Sequence, residues 1–197
     1  MITDISQLDL SKRYSYADYL TWQFKERVEL FKGWLAKLAA PSTFHQMISG
    51  ELHRQLANHF RKTGCRVFSA PFDVRLPDNF KSTEDKTIYT VVQPDLCVIC
   101  DDAKIDAKGC LGAPDWILEI LSPGNNKAEI QSKFRLYEEA DVKEYWIVQP
   151  GDQTVTVFDL RGDQYQFRMM YSNEDKIPCG LFPQLEVDMK EVFSFIN

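Results

Sequence analysis

The sequence contains no long apolar run and no pattern typical of an export signal. None of its hydrophobic stretches approaches the roughly 20 residues that a membrane-spanning helix needs. The N-terminal segment MITDISQLDLSKRYS lacks the basic-then-apolar order of a secretory signal. These absences predict a soluble, cytoplasmic protein without a membrane segment.

The sequence also has fewer cationic than anionic residues. With 23 lysine and arginine residues against 29 aspartate and glutamate residues, the formal net charge is -6. Proteins that coat nucleic acid rely on clustered cations. Any nucleic-acid contact must therefore use a local basic surface.

The loops that usually hold nucleotides are missing. Neither GxGxxG nor GxxxxGK[ST] occurs, so nothing in the sequence indicates a dinucleotide or P-loop site. G-x-S-x-G is absent as well, and Ser122-Pro123-Gly124 is typical of a turn rather than of a nucleophile elbow.

The cysteines are few and odd in number, which argues against a disulfide framework in a chain without an export signal. We expect reduced, mostly buried thiols at Cys65, Cys97, Cys100, Cys110 and Cys179. Cys97 and Cys100 have C-x-x-C spacing. In a strand, however, residues three apart point to opposite faces, which disfavours a zinc site.

The length and composition predict one α/β domain over residues 1–197. The 44% apolar content suffices for a core, and no repeat or long linker interrupts it. The polar stretch 77–87 is predicted to be a mobile loop.

Hydrophobic periodicity gives the order of elements. A short helix over residues 15–24 precedes a hairpin about Lys32-Gly33, and a long helix capped by Ser42 or Thr43 ends at Gly64. Three strands follow at 65–76, with a break near Ala70-Pro71, at 90–100 and at 115–121. A helix over 126–140, the strand EYWIVQP, a C-terminal β-hairpin about Arg161-Gly162-Asp163 and a short final helix complete the chain. The order helix, three strands, helix, strand predicts a mixed sheet.

Glu119 is the most unusual residue, because it interrupts the apolar strand WILEIL. An unpaired buried carboxylate costs several kcal/mol, so something must compensate its charge. An ion pair or a strand-edge position facing water would each suffice.

Asp95 is a second acid, placed at the start of the apolar run DLCVIC. If the two strands pair, Asp95 and Glu119 can converge and offer hard oxygen ligands to Mg²⁺ or Mn²⁺. The alternative is that Pro94-Asp95 only forms a turn.

Lys133 lies on the flank of the predicted buried stripe of the helix over residues 126–140, formed by Ile130, Phe134 and Tyr137. Its ammonium could reach the end of the sheet. A surface lysine with a partly buried stem is the alternative.

Taken together, these motifs resemble the Uma-two family of restriction endonucleases, within the PD-(D/E)XK nuclease superfamily. The resemblance covers nearly the whole chain and rests on VEL with Gly33, His45, Lys133 with Tyr137, and the segments APFDVRLP, VVQPDLCVIC, GAPDWILEILSP and EYWIVQP. It implies a restriction-endonuclease-like fold.

The resemblance also assigns roles. It makes Asp95 the aspartate of the PD element and Glu119 the acid of (D/E)XK, but Leu121 stands where the motif has lysine. Lys133 on the following helix is the candidate replacement, because the position of the ammonium matters more than its origin in the chain. Lys127 is the next candidate.

Glu29 and His45 are candidate accessory residues. Family members often have an acid after the hairpin glycine, where this chain has Trp34. Glu29 could help hold metal or water, or could be a surface glutamate. His45 could contact a phosphate or orient a ligand, or could be structural.

The sequence therefore predicts a Mg²⁺- or Mn²⁺-dependent endonuclease that acts on DNA through Asp95, Glu119 and Lys133. An inactive nucleic-acid-binding or protein-interaction module on the same fold is the alternative. Hydrolysis of RNA or of a smaller phosphodiester would use the same cluster. A homodimer is a further expectation.

Overall fold

A computed structural model describes residues 1–78 and 82–196. The α-helices are α1 (Tyr16–Tyr19), α2 (Thr43–Phe60), α3 (Lys127–Glu139) and α4 (Met189–Val192). In chain order the strands are β1 (Val28–Phe31), β2 (Trp34–Lys37), β3 (Arg66–Ser69), β4 (Val74–Leu76), β5 (Thr90–Val92), β6 (Leu96–Ile99), β7 (Ile105–Asp106), β8 (Gly109–Leu111), β9 (Trp116–Ile120), β10 (Glu144–Gln149), β11 (Thr154–Arg161), β12 (Gln164–Ser172), β13 (Lys176–Pro178) and β14 (Glu186–Asp188). In the described parts of the chain, no helix is both long enough and apolar enough to cross a membrane.

The chain divides into two compact units, each built from three chain segments. The first consists of Met1–Ala40, Phe72–Gln93 and Lys104–Ala113, and the second of Pro41–Pro71, Pro94–Ala103 and Pro114–Asn197. The single domain over residues 1–197 stays a prediction. Within the predicted mobile loop 77–87, residues 79–81 lie outside the described residues, and a 3₁₀ turn occupies Asp85–Thr87.

The first unit contains a six-stranded sheet in the order β2-β1-β5-β4-β8-β7. The predicted hairpin is present, since β1 and β2 pair about Lys32 and Gly33, which adopt φ values of 49° and 90°. The helix predicted over residues 15–24 is wrong beyond Tyr19. There the backbone turns to pair with the N-terminal segment, and Gln23 donates to the carbonyl of Ile2.

The second unit contains a sheet in the order β12-β11-β10-β9-β6-β3. The Ser42 side chain caps α2, whose Ile48, Leu52, Leu56 and Phe60 recur every fourth residue and are buried on the sheet. The parallel strands β9 and β10 are joined through α3, which Asn126 caps. The predicted core of α2, three strands, α3 and one strand is confirmed, as is the C-terminal hairpin β11–β12.

Two predicted strands each contribute to both sheets. Residues 65–76 divide at the predicted break into β3 and β4, whereas residues 90–100 divide into β5 and β6, which is a correction to the single strand predicted there. The interruption falls at Gln93-Pro94-Asp95, because proline has no N–H for a ladder hydrogen bond. Asp95 consequently lies at the point where β6 begins.

The prediction of five reduced cysteines is wrong for two of them. β3 and β6 are antiparallel with Arg66 opposite Ile99, and the next pair, Cys65 and Cys100, forms a disulfide. Because the two cysteines are 35 residues apart in the sequence, their contact could not be predicted from sequence spacing. The remaining thiols are buried at Cys97, Cys110 and Cys179.

Candidate active site

Glu119 lies in the middle of the second sheet on β9 and is only 6% exposed. Its Oε1 lies 2.9 Å from Nζ of Lys133 and accepts a 2.6 Å hydrogen bond from the hydroxyl of Tyr137. The side chain of Lys133 is 13% exposed, so it is not the surface lysine considered as an alternative. The buried acid is therefore compensated by an ion pair and a charge-assisted hydrogen bond from α3.

Asp95 lies beside the same strand. Its Oδ2 accepts a 2.7 Å hydrogen bond from the backbone N–H of Ile120, and Nε2 of His45 lies 3.2 Å from that oxygen. β6 and β9 are antiparallel with Leu96 opposite Leu118, so continuation of the register places Asp95 opposite Glu119. Asp95 is thus anchored rather than left in an open turn.

His45 begins the buried face of α2 and is 7% exposed. Burial alone would lower the pKa of its imidazole, but the hydrogen bond to Asp95 and the negative charges of Asp95 and Glu119 outweigh it and raise that pKa above its usual range. Among the described residues, Nδ1 of His45 has no hydrogen-bond partner. His45 therefore contacts Asp95 through Nε2.

Glu29 belongs to the first unit, on β1. It is 2% exposed and its Oε1 accepts a 2.7 Å hydrogen bond from the backbone N–H of Gln93. The surface alternative for Glu29 is therefore wrong. Gln93 also donates through its amide to Asp73, at 2.8 Å, and accepts from Arg27, at 2.9 Å. Glu29 thus holds the backbone two residues before Asp95 in the sequence.

A family model described as "Putative restriction endonuclease", that of Uma2, matches residues 16–190. The chain belongs to the Uma2 family.

Two further proteins are similar to this Uma2 member. An uncharacterized protein of Synechocystis sp. is 23% identical over 168 residues, which is 84% of each chain. A crystal structure of a "putative nuclease belonging to DUF820" from Anabaena variabilis has a TM-score of 0.71 and 19% identity, over 92% of this chain and 98% of that one. The second likeness supports the restriction-endonuclease-like fold.

The contact of Tyr137 with Glu119 is not among the predictions from the sequence. Tyr137 was assigned to the buried stripe of α3, and it is indeed fully buried, but its hydroxyl contacts Glu119. The signal was available: Lys133 and Tyr137 are four residues apart and so share one face of the helix. A buried tyrosine hydroxyl also needs a hydrogen-bond partner.

The carboxylates of Asp95 and Glu119 suit a hard divalent cation that binds only a few protein ligands. Two carboxylates on neighbouring strands are hard oxygen ligands, and Mg²⁺ commonly binds one or two carboxylates while keeping waters and substrate phosphate oxygens. Residues 1–78 and 82–196 contain no group of three or more histidine, cysteine, aspartate or glutamate side chains arranged to hold a metal. Two carboxylates match the oxygen donors that Mg²⁺ and Mn²⁺ prefer, whereas a structural zinc takes four nitrogen or sulfur donors.

Proposed function

We propose that this Uma2 protein is a divalent-metal-dependent endonuclease that hydrolyses phosphodiester bonds in DNA, with Asp95 and Glu119 as the ligands of Mg²⁺ or Mn²⁺. One observation carries the proposal. Glu119 is buried in a strand, contacts Lys133 at 2.9 Å and lies in register with Asp95. Two acids and one lysine form the PD-(D/E)XK set, even though the lysine comes from α3 rather than from position 121.

Each side chain has a distinct task in this mechanism. When bound, the divalent ion supplies Lewis-acid stabilisation of the phosphate and a more acidic water. Asp95 is oriented by Ile120 N–H and His45, and Glu119 by Tyr137. The ammonium of Lys133 stabilises negative charge that develops on the phosphate, and it costs no reorganisation because it is already held at the site.

The decisive experiment is a cleavage assay over a substrate panel. Plasmid, linear duplex DNA, single-stranded DNA and RNA are each incubated with Mg²⁺ or Mn²⁺, with EDTA as the control. Asp95→Asn and Glu119→Gln should abolish cleavage and weaken metal binding, because each removes a charged ligand. Lys190→Gln, at an exposed position of α4, is the charge control and should cleave as the wild type does.

The outcomes separate the alternatives. Cleavage of RNA alone would replace DNA as the substrate while keeping the cluster. A protein that binds nucleic acid without metal-dependent cleavage of any substrate would be the inactive module, with Glu119 and Lys133 as a structural ion pair.

A homodimer is supported by the edge strand β12. It ends the second sheet, and three of its large apolar side chains, Phe167, Met169 and Met170, are 51–60% exposed. Long edge strands without charged or proline residues on their exposed side are templates for pairing. Light scattering of the wild type and of Met169→Lys tests this, since the added charge should leave only monomer.

A further inference from the structure

Trp34 is a large aromatic side chain at an exposed position. It is the first residue of β2, the edge strand of the first sheet, and it is 48% exposed. By contrast, Trp116 and Trp146 are completely buried. A half-exposed indole ring on a β-strand can stack against another aromatic ring.

The register of the hairpin shows which face carries Trp34. Leu30 lies in the buried cluster of the first unit and its partner Leu35 packs against that cluster. Alternation along the strands therefore sends Phe31 and its partner Trp34 to the opposite face, together with Glu29. Glu29 lies two residues from Phe31, or about 7 Å along the strand. Trp34 thus shares a sheet face with the candidate accessory acid.

The tip of this hairpin is held in place by the chain around it. Gly33 N–H donates to the carbonyl of Tyr89 at 2.5 Å, and Gly33 O accepts from Tyr14 N–H at 2.8 Å. Nε of Arg13 donates to the carbonyl of Lys32 at 2.7 Å. A side chain at Gly33 would come within 2.9 Å of Cβ of Arg13, so the close packing requires glycine. The tip is therefore preorganised.

The chain segment that contains Trp34 has a net charge opposite in sign to that of the whole chain. Residues 12–37 contain six lysine and arginine residues and three acids, whereas the chain has a net charge of -6. Arg13 and Lys32, which touch at the hairpin tip, are both exposed, and the guanidinium of Arg13 lies 4.9 Å from the ring centre of Tyr89. Arg13 and Lys32 therefore place two neighbouring cations in solvent at the hairpin tip, where they can contact phosphates.

We propose that the hairpin tip binds a single-stranded stretch of the nucleic-acid substrate, with a base stacked on Trp34 and the neighbouring phosphates held by Arg13 and Lys32. The inference rests on the proposed function, whose substrate it specifies. Stacking needs the open face of a base, which a paired base in a duplex does not present. The combination of an aromatic platform with cations therefore favours an unpaired strand over a duplex.

The test is direct binding, measured by fluorescence anisotropy with the whole chain in EDTA. The probes are a labelled single-stranded 20-nucleotide oligonucleotide and the duplex of the same length. Trp34→Ala should weaken single-strand binding by about 5- to 100-fold, the range expected for loss of one stacked base. Trp34→Phe should restore most of the affinity, because a phenyl ring still stacks.

Control variants separate stacking and charge from general effects. Phe195→Ala removes an exposed aromatic ring from the second unit, and Arg161→Ala removes an exposed cation; both should bind as the wild type does. Arg13→Ala should weaken binding and reduce its salt dependence, since a phosphate contact is lost. In the wild type, oligonucleotide should also quench indole fluorescence, and this quenching should disappear in Trp34→Phe.

The results distinguish failure of this inference from failure of the proposed function. If the wild type cleaves nucleic acid and Trp34→Ala binds single strands as tightly as the wild type, the hairpin proposal alone is overturned. Equal weakening of single-strand and duplex binding overturns the stacking role as well. If the wild type neither binds nor cleaves any nucleic acid, both proposals fall. Circular dichroism of each variant confirms that it is folded.

Discussion

The hydroxyl of Tyr137 donates its 2.6 Å hydrogen bond to the same oxygen of Glu119, Oε1, that Lys133 contacts at 2.9 Å. The two donors are four residues apart on α3 and therefore project from one face of the helix. A carboxylate that receives two directed donors on one oxygen has a restricted rotation about its last side-chain bond. The acid of the proposed metal site is consequently positioned by the helix that follows it.

Tyr137→Phe tests this relationship, because it removes the hydroxyl and keeps the ring. A hydrogen bond to a charged group contributes about 1.5–3 kcal/mol, so we expect metal affinity and cleavage to fall by roughly 10- to 100-fold. Isothermal titration with Mn²⁺ and a cleavage assay give the two numbers. Tyr145→Phe is the matched control, since Tyr145 is buried in the same aromatic cluster, with ring centres 5.2 Å from Tyr137. Equal activity of Tyr137→Phe and the wild type would remove the positioning role.

Lys133→Ala tests the replacement of the motif lysine. We expect cleavage to fall by about 100- to 1,000-fold, as for loss of one group that stabilises the transition state. Metal affinity should change little, because both acids remain and the lost donor to Glu119, unlike the neutral hydroxyl of Tyr137, is also a cation that repels the metal. Lys127→Ala, at the exposed first residue of the same helix, is the control. Loss of the buried partner of Glu119 can itself destabilise the fold by about 3–5 kcal/mol, so unfolding is measured in parallel. A folded Lys133→Ala protein that cleaves normally, beside an inactive Lys127→Ala, would reassign the lysine.

The core order could be predicted because periodicity is a local signal, and the two acids in apolar runs were recognisable for the same reason. The pairing of their strands stayed a condition, because it depends on the fold. The division of residues 90–100 between two sheets could not be predicted, because the apolar run on both sides of Pro94 has the pattern of one strand. Tyr137 was placed correctly in the buried stripe, but its hydroxyl partner depends on the packing of α3 on β9. The sequence leaves the burial of Glu29 open for the same reason: its partner, Gln93 N–H, is 64 residues away.

The cysteine pairing gives a chemical prediction. Alkylation of the denatured, unreduced protein should modify three thiols, those of Cys97, Cys110 and Cys179, and full reduction should raise the number to five. Mass spectrometry after digestion should recover the peptides containing Cys65 and Cys100 as one linked species. Five reactive thiols before reduction, in protein purified without reductant, would contradict the disulfide.

His45 gives a prediction on pH and stability in the metal-free protein. The pKa of His45 is raised in the folded state, so its charged form is stabilised by folding, chiefly against Asp95. That contribution is fully present below the unfolded pKa of about 6.5 and is lost as pH rises through the higher folded value. In EDTA, the free energy of unfolding should therefore decrease from pH 6 to pH 8, and the His45→Gln variant should show a smaller decrease. His59→Gln, at the other end of α2, is the matched histidine variant and is measured in parallel. Urea unfolding at several pH values measures the effect. If the free energy of unfolding of His45→Gln changes with pH as steeply as that of the wild type, the contact with Asp95 does not depend on the imidazole charge.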